Sequence, residues 1–363
     1  MTFTVITRGF KQEFERWTDA LETANGLRPQ LKSWFVDIRI FDDKNLVWMY
    51  SKLRAHPEYI GPGTYDRLAR LFMAEGKVEA ASRQPWNIRG HQFNWGERTY
   101  LMGVINVTPD SFSDGGQFNT VEAALGQAHT LLGANIDILD IGGQSTRPGA
   151  QQISLGEELN RVVPVIEAIR QTDALKQAVV SVDTTRTTVA RAAIEAAGAD
   201  IINDISGGTY EPDILKVTAE ARPPIMLMHL RGTPETMQQM TDYDDLLGEM
   251  SALLRKQIEQ ALAVGVPMQN ICIDPGIGFA KTYPQNLQIL RRLSDLAELG
   301  CPILVGASRK SFIGWILDQP DPQQREWGTA AACAAAIAGG ADILRVHSTA
   351  MVDVARVADA IWR

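Results

Sequence analysis

The chain has 363 residues, 45% hydrophobic and 21% charged, an ordinary globular composition that fits one large domain with a smaller companion. A net charge of −8, a pI near 5.3 and the lack of any Lys/Arg-rich run argue against nucleic-acid or anionic-membrane binding. No apolar run reaches the ~20 residues of a membrane span, the N-terminus lacks a signal-peptide layout, and Cys272, Cys301 and Cys333 show no CxxC spacing, so a cytoplasmic protein with reduced, buried thiols is expected.

Residues 1–85 read as a small α/β domain: strand 2–7, helix 11–24, strands 34–41 and 45–50, and a helix near 64–75, with Asp42-Asp43-Lys44 as a hairpin turn. Trp17, Trp34 and Trp48 give it apolar material for a core of its own, and no catalytic constellation falls within it. Residues 86–99 read as a linker and the entry to the larger domain.

From residue 100 the pattern becomes a strict alternation. Strands are expected at 100–107, 136–142, 178–183, 200–205, 224–229, 270–274, 302–307 and 343–347. Helices are expected near 121–133, 155–171, 186–197, 212–221, 243–264, 285–299, 326–339 and 350–362. Three passages set the beat: GANIDILDIGG (133–143), GADIINDISGG (198–208) and GADILRVH (340–347). In each a Gly suited to a left-handed helix stop leads into a short apolar run, the signature of a buried parallel strand. Eight such units in about 265 residues predict a (β/α)8 TIM barrel over 100–363.

Active sites of that fold lie at the C-terminal ends of the strands. There the sequence carries Asn106, Ser145-Thr146-Arg147, Asp183, Asn203, His229, Asp274, Ser308-Arg309-Lys310 and Arg345-Val346-His347. Polar side chains at the end of an apolar run are costly unless satisfied. Period-2 alternation puts Ile201, Asn203 and Ile205 on one face, and Ile343, Arg345 and His347 on one face, so Asn203, Arg345 and His347 are expected to point into the barrel mouth. Asp204, on the opposite face, is expected to anchor backbone. Singly, each of these residues also fits a strand-end cap or an ion pair; His129 reads as a surface residue on a helix, and His229 as a pocket support beside Met228.

Seven stretches in one register are more specific: INVTPDSFSDGG (105–116), DIGGQSTRPGA (140–150), VSVDT (180–184), INDI (202–205), DPGIGF (274–279), SRKS (308–311) and RVH (345–347). From about Arg89 onward the chain closely resembles the dihydropteroate synthases, pterin-binding TIM barrels of folate biosynthesis. The resemblance implies a transferase that joins 6-hydroxymethyl-7,8-dihydropterin diphosphate to 4-aminobenzoate and releases pyrophosphate. It implies pterin contacts from Asp183, Asn203, Asp274, Lys310, Met228 and Phe279. It implies a diphosphate end made of Asn106, Arg345 and His347, with Mg2+ held at Asn106. Thr146, Arg147, Pro148 and Ser308 would meet the aminobenzoate, and Asp114, in the TPDSFSD loop, would join Lys310, Arg345 and His347 in catalysis. Small-molecule substrates, a homodimer and competition by sulfonamides are implied likewise.

Two departures from the family pattern stand out, Gln144 where Glu is common and Ile277 where an aromatic is common. The first is expected to alter loop anchoring, the second the pocket wall. Rival readings on the same barrel are a corrinoid-linked methyltetrahydrofolate methyltransferase and a non-catalytic pterin-binding protein. Both lose ground to the SRKS and RVH stretches taken with the TPDSFSD loop. Arg345→Ala is expected to impair turnover far more than folding.

Overall fold

The computed structural model describes residues 84–108, 117–146 and 150–363, together with the backbone of four strands in the N-terminal segment. The chain divides into two compact units, Met1–Gly76 and Lys77–Arg363. In the first, β1 (Phe3–Thr7), β2 (Phe10–Phe14), β3 (Asp37–Asp42) and β4 (Asn45–Ser51) form an antiparallel sheet in the order β2-β1-β3-β4. The helix expected over 11–24 is replaced at its start by β2, whose Phe10 pairs with Thr7, and the rest of that span lies outside the described residues. In FKQEF the two Phe stand four residues apart, a spacing that shares one face in a helix and in a strand alike, and pairing with β1 decides between them. The helix expected near 64–75 lies outside the described residues.

The second unit is the barrel. Its strands are β7 (Tyr100–Asn106), β8 (Ile138–Gly142), β9 (Val179–Asp183), β10 (Ile201–Asp204), β11 (Ile225–Met228), β12 (Ile271–Asp274), β13 (Leu304–Val305) and β14 (Ile343–Val346). They run parallel in the order β12-β11-β10-β9-β8-β7-β14-β13, and a parallel bridge between Ile273 and Ile303 closes the ring. The outer layer matches the expected helices, from α1 (Gln117–Gly133) and α2 (Leu155–Gln171) through to Met351–Trp362. Among the described residues of the barrel one α-helix lies outside the expected set: Ser311–Leu317, after β13. It is a short turn of SFIGWIL whose apolar residues carry no clear period.

Alternation along the strands sorts the side chains into layers. Ile202, Leu139, Val180 and Ile273 face the helices in the main apolar layer. Ile138, Val179, Ile201, Met226, Cys272, Leu304 and Ile343, from the N-terminal parts of seven strands, fill the barrel interior with Met102. All three cysteines are buried and none is in a disulfide.

The segment 86–99 contains a hairpin, β5 (Trp86–Ile88) with β6 (His91–Phe93), turned by Arg89 and Gly90 at φ 51° and 82°. Trp86 and Phe93 belong to the same cluster as the interior layer, so the hairpin stoppers the N-terminal end of the barrel. Trp86 Nε1 donates to Gln269 O at 2.6 Å, and the Phe93 and Tyr100 rings lie 4.8 Å apart. Fully burying such a ring contributes about 2–3 kcal/mol over exposure.

Phe93→Ala is therefore expected to destabilise the whole protein by about 3–5 kcal/mol, the range for an aromatic deleted from a packed core. Exposed Gln92→Ala serves as the control and is expected to move stability by less than about 0.5 kcal/mol. Urea unfolding of both variants checks this; equal midpoints would show that the hairpin does not seal the barrel.

Candidate functional site at the barrel mouth

The inward positions change character toward the C-terminal ends of the strands. Below, they are Ile138, Val179, Ile201 and Ile343; two residues later they are Asp140, Ser181, Asn203 and Arg345. Asp140, Asn203 and Asp183 are buried, and the Arg345 side chain is 21% exposed. Arg345 Nε donates to Asp140 Oδ2 at 2.6 Å and Nη2 donates to Asp183 Oδ2 at 2.7 Å. Asn203 Nδ2 donates to the same Asp140 oxygen at 3.2 Å. Asp140 Oδ1 is buried without a hydrogen-bond partner. Gly142 lies against this cluster, where a Cβ would sit 3.4 Å from the Asp183 Cβ.

The electrostatics follow from two carboxylates sharing one guanidinium. Burial raises Asp183 above the usual carboxylate range, Arg345 opposes that, and Asp140 adds to it. Burial alone would lower Arg345, yet Asp140 and Asp183 together hold it above its ordinary value. Arg345→Ala is therefore expected to cost folding stability as well as turnover. Removing the guanidinium leaves two buried carboxylates facing each other, and breaking a buried pair typically costs about 3–5 kcal/mol.

On the other side of the mouth, β12 ends in Asp274, whose Oδ1 accepts from Gly276 N at 2.7 Å. Burial pushes Asp274 up to about 6, against the Gly276 N–H and the nearby Lys310. Lys310 Nζ lies 4.1 Å from the centre of the Phe279 ring, within cation–π range. Gly278, at φ 85°, permits that approach, because a Cβ there would meet Lys310 Cδ at 3.0 Å. Phe279 packs with Met228, Ile205 and Leu230 as an apolar wall. Ser308 is buried, and its Oγ lies 3.1 Å from His347 Nδ1. Asn106 ends β7 half-buried, opposite Gly142 in the register.

Thr146 lines a cavity with Gln144, Asp183, Thr184, Arg186 and Tyr210. Arg147, Pro148 and Asp114 lie outside the described residues. Gln144 ties its loop together: Nε2 donates to Ser145 O at 2.8 Å and Gln151 O at 2.9 Å, while Oε1 accepts from Ile153 N at 2.9 Å. A carboxylate cannot donate to those two carbonyls, so an amide suits this loop. Ile277 is buried and packs in the main apolar layer. Asp204 anchors backbone, accepting from Ser206 N at 2.8 Å and Gly208 N at 2.6 Å. His129 is exposed.

Three participants escape a reading of the sequence alone. Asp140 opens the DIGGQSTRPGA stretch, and its place between Ile138 and Gly142 on the inward face is the signal that could have found it. Glu158, on α2, is buried, accepts from Thr184 Oγ1 at 2.5 Å and pairs with Arg186 at 3.0 Å. Lys281 is buried against His229, with no local pattern to announce it.

Residues 102–347 match the family model described as pterin binding enzyme. A dihydropteroate synthase of Synechocystis is 57% identical over 272 residues, covering 75% of this chain and 93% of that protein. The structure resembles a Xanthomonas albilineans dihydropteroate synthase solved with 4-aminobenzoic acid, at 42% identity and a TM-score of 0.69, over 76% of this chain and 97% of that one. It also resembles a Yersinia pestis dihydropteroate synthase in complex with a sulfonamide drug, at 40% identity and a TM-score of 0.70, over 77% and 99% of the two chains.

A carboxyl held above its ordinary pKa by burial ionises at lower pH in the unfolded chain, so it weighs increasingly against folding as the pH rises from the unfolded value through the folded one. For Asp274 that value is about 6. Asp274→Asn keeps an acceptor for Gly276 and removes the charge. Its melting temperature is expected to exceed that of the wild type near about pH 8 and to match it near about pH 4, below the folded value. A variant that melts below the wild type at the higher pH would contradict the burial argument.

Proposed function

Since the chain belongs to the pterin binding enzymes, within the dihydropteroate synthase family, we propose that the cluster of Asp140, Asp183, Asn203 and Arg345 is where its pterin substrate is read. The protein is a transferase that condenses 6-hydroxymethyl-7,8-dihydropterin diphosphate with 4-aminobenzoate. The observation that carries the residue assignment is the convergence of two carboxylates, an amide and a guanidinium at inward positions of β8, β9, β10 and β14. A pterin edge offers ring N–H and amino donors beside acceptors, and buried carboxylates with an amide complement that pattern. Asp274 and Lys310 extend the polar edge, and Met228 and Phe279 supply the apolar wall against which a flat ring packs.

In this reading the CH2–O bond of the pterin diphosphate breaks first, with its electron pair leaving on pyrophosphate. The amine of 4-aminobenzoate then forms the new C–N bond and gives up a proton. Arg345 and His347 face the departing anion, and fixed donors aimed at developing charge are the strongest aid such a step receives. Thr146, Arg147, Pro148 and Ser308 form the aminobenzoate side, with Asp114 in the loop above it.

The residues present suit a Mg2+ carried by the diphosphate. Among the described residues no group of three His, Cys, Asp or Glu is arranged as a metal cage. A half-buried amide at Asn106 matches an ion that takes one or two protein oxygens beside phosphate and water. When bound, the ion neutralises charge on the leaving pyrophosphate.

We further infer a homodimer and a cytoplasmic location. Trp315, Ile316, Leu317 and Trp327 are exposed on the helices following β13, and large apolar side chains gathered on a surface favour a partner. No helix among the described residues is long and apolar enough to cross a membrane.

Pyrophosphate release tests the reading. Wild-type protein with the pterin diphosphate is expected to release pyrophosphate and form dihydropteroate only when 4-aminobenzoate is present. Arg345→Lys, which keeps a cation between the carboxylates but loses the fork, is expected to lower the rate by roughly 10²-fold. Wild-type turnover in a folded Arg345→Lys protein would remove Arg345 from the anion site.

A further inference from the structure

The turn that follows β12 is held in an unusual shape. Gly276, Gly278 and Ala280 all have positive φ, at 67°, 85° and 51°. A Cβ on Gly276 would lie 2.2 Å from the His229 carbonyl oxygen, so the turn presses directly on the end of β11. His229 N donates back to Asp274 O at 2.9 Å. Ala280, the one non-glycine of the three, occupies a sparsely populated region, which persists only where its surroundings over-determine it.

The determining group is Lys281, which closes the turn and is 2% exposed. Its Nζ donates to Gly276 O at 2.9 Å and Phe279 O at 2.8 Å, and lies 3.0 Å from His229 Nδ1. An ammonium has three donors and no acceptor, and three acceptors surround this one. Burial, and then the Lys281 charge itself, keep the His229 pKa well below its ordinary value. The imidazole is therefore neutral, and its Nδ1 lone pair is available to Lys281. Burial draws the Lys281 pKa down to about 7 against the pull of Asp274. In either protonation state the amine remains a donor.

We propose that Lys281, braced by His229, is a positioning residue for pterin recognition: it holds the 274–281 turn in the shape that presents the Asp274 carboxylate and the Phe279 ring to the barrel mouth. This rests on reading Asp274 and Phe279 as pterin contacts. Lys281 touches the backbone on both sides of Ile277, and it acts on the ligand only through the turn.

Calorimetric titration of the full-length protein with 6-hydroxymethylpterin tests the proposal. Lys281→Gln and His229→Leu are expected to weaken binding roughly tenfold or more, because a displaced contact residue loses its alignment with the ligand. His229→Asn, whose Oδ1 takes over the acceptor position of Nδ1, is expected to stay within about twofold of wild type. A purely structural role would lower the melting temperatures and leave the affinity of the folded variants unchanged; that result overturns the proposal. If Lys281→Gln does not fold, His229→Leu decides alone. Asp274→Asn separates direct contact from positioning: unchanged pterin affinity there strikes the underlying site reading. Weakened affinity in Asp274→Asn with wild-type affinity in folded Lys281→Gln and His229→Leu strikes only the role of Lys281.

Discussion

The barrel mouth depends on one guanidinium, that of Arg345, shared between Asp140 at 2.6 Å and Asp183 at 2.7 Å. Both carboxylates are buried, and burying a charge without a partner is costly. Together they persist, and in doing so tie β14 to β8 and β9 across the intervening β7. The geometry is planar and forked, which is what a guanidinium offers and an ammonium does not. An incoming pterin meets a surface whose charges are already fixed in direction. That preorganisation limits the reorganisation left for binding.

A second balance lies opposite. Asp274 is drawn toward its ionised form by Lys310, Lys281 and Arg345 and away from it by burial. Lys281 and Arg345 thus have related tasks at different depths, the first shaping a backbone turn and the second holding side chains. The far end of the barrel needs none of this. There Trp86 and Phe93 from the hairpin complete an apolar interior, and stability comes from packing. Separation of the two ends lets the mouth carry buried charge while the base supplies the rigidity on which its geometry rests.

Much of this is legible in the chain. Helix, Gly stop and short apolar run recur in a regular beat, and each strand is short enough that period-2 alternation fixes which residues face inward. Asn203 and Arg345 can be found that way. What escapes has physical reasons. Asp140 sits mid-strand in an apolar run, where an isolated acid looks like part of a motif until its partner on β14 is known. Lys281 and His229 are 52 residues apart, and only the closing of β11 on β12 brings them to 3.0 Å. The hairpin at Trp86 is too short to show a period. FKQEF is compatible with a helix or a strand until β1 claims it.

The central claim is that ionised, buried carboxylates hold the pterin. It is tested most directly by the affinity of the wild-type protein for 6-hydroxymethylpterin, measured by calorimetry from about pH 5 to about pH 7.5. Burial pushes Asp183 up to about 7 and Asp274 up to about 6, so both take up protons within that window. Protonation removes acceptors that the ligand's N–H groups require. Binding is expected to tighten as the pH rises through about 6 to 7 and then to level off. An affinity that stays flat across the window would show that these carboxylates do not carry the recognition.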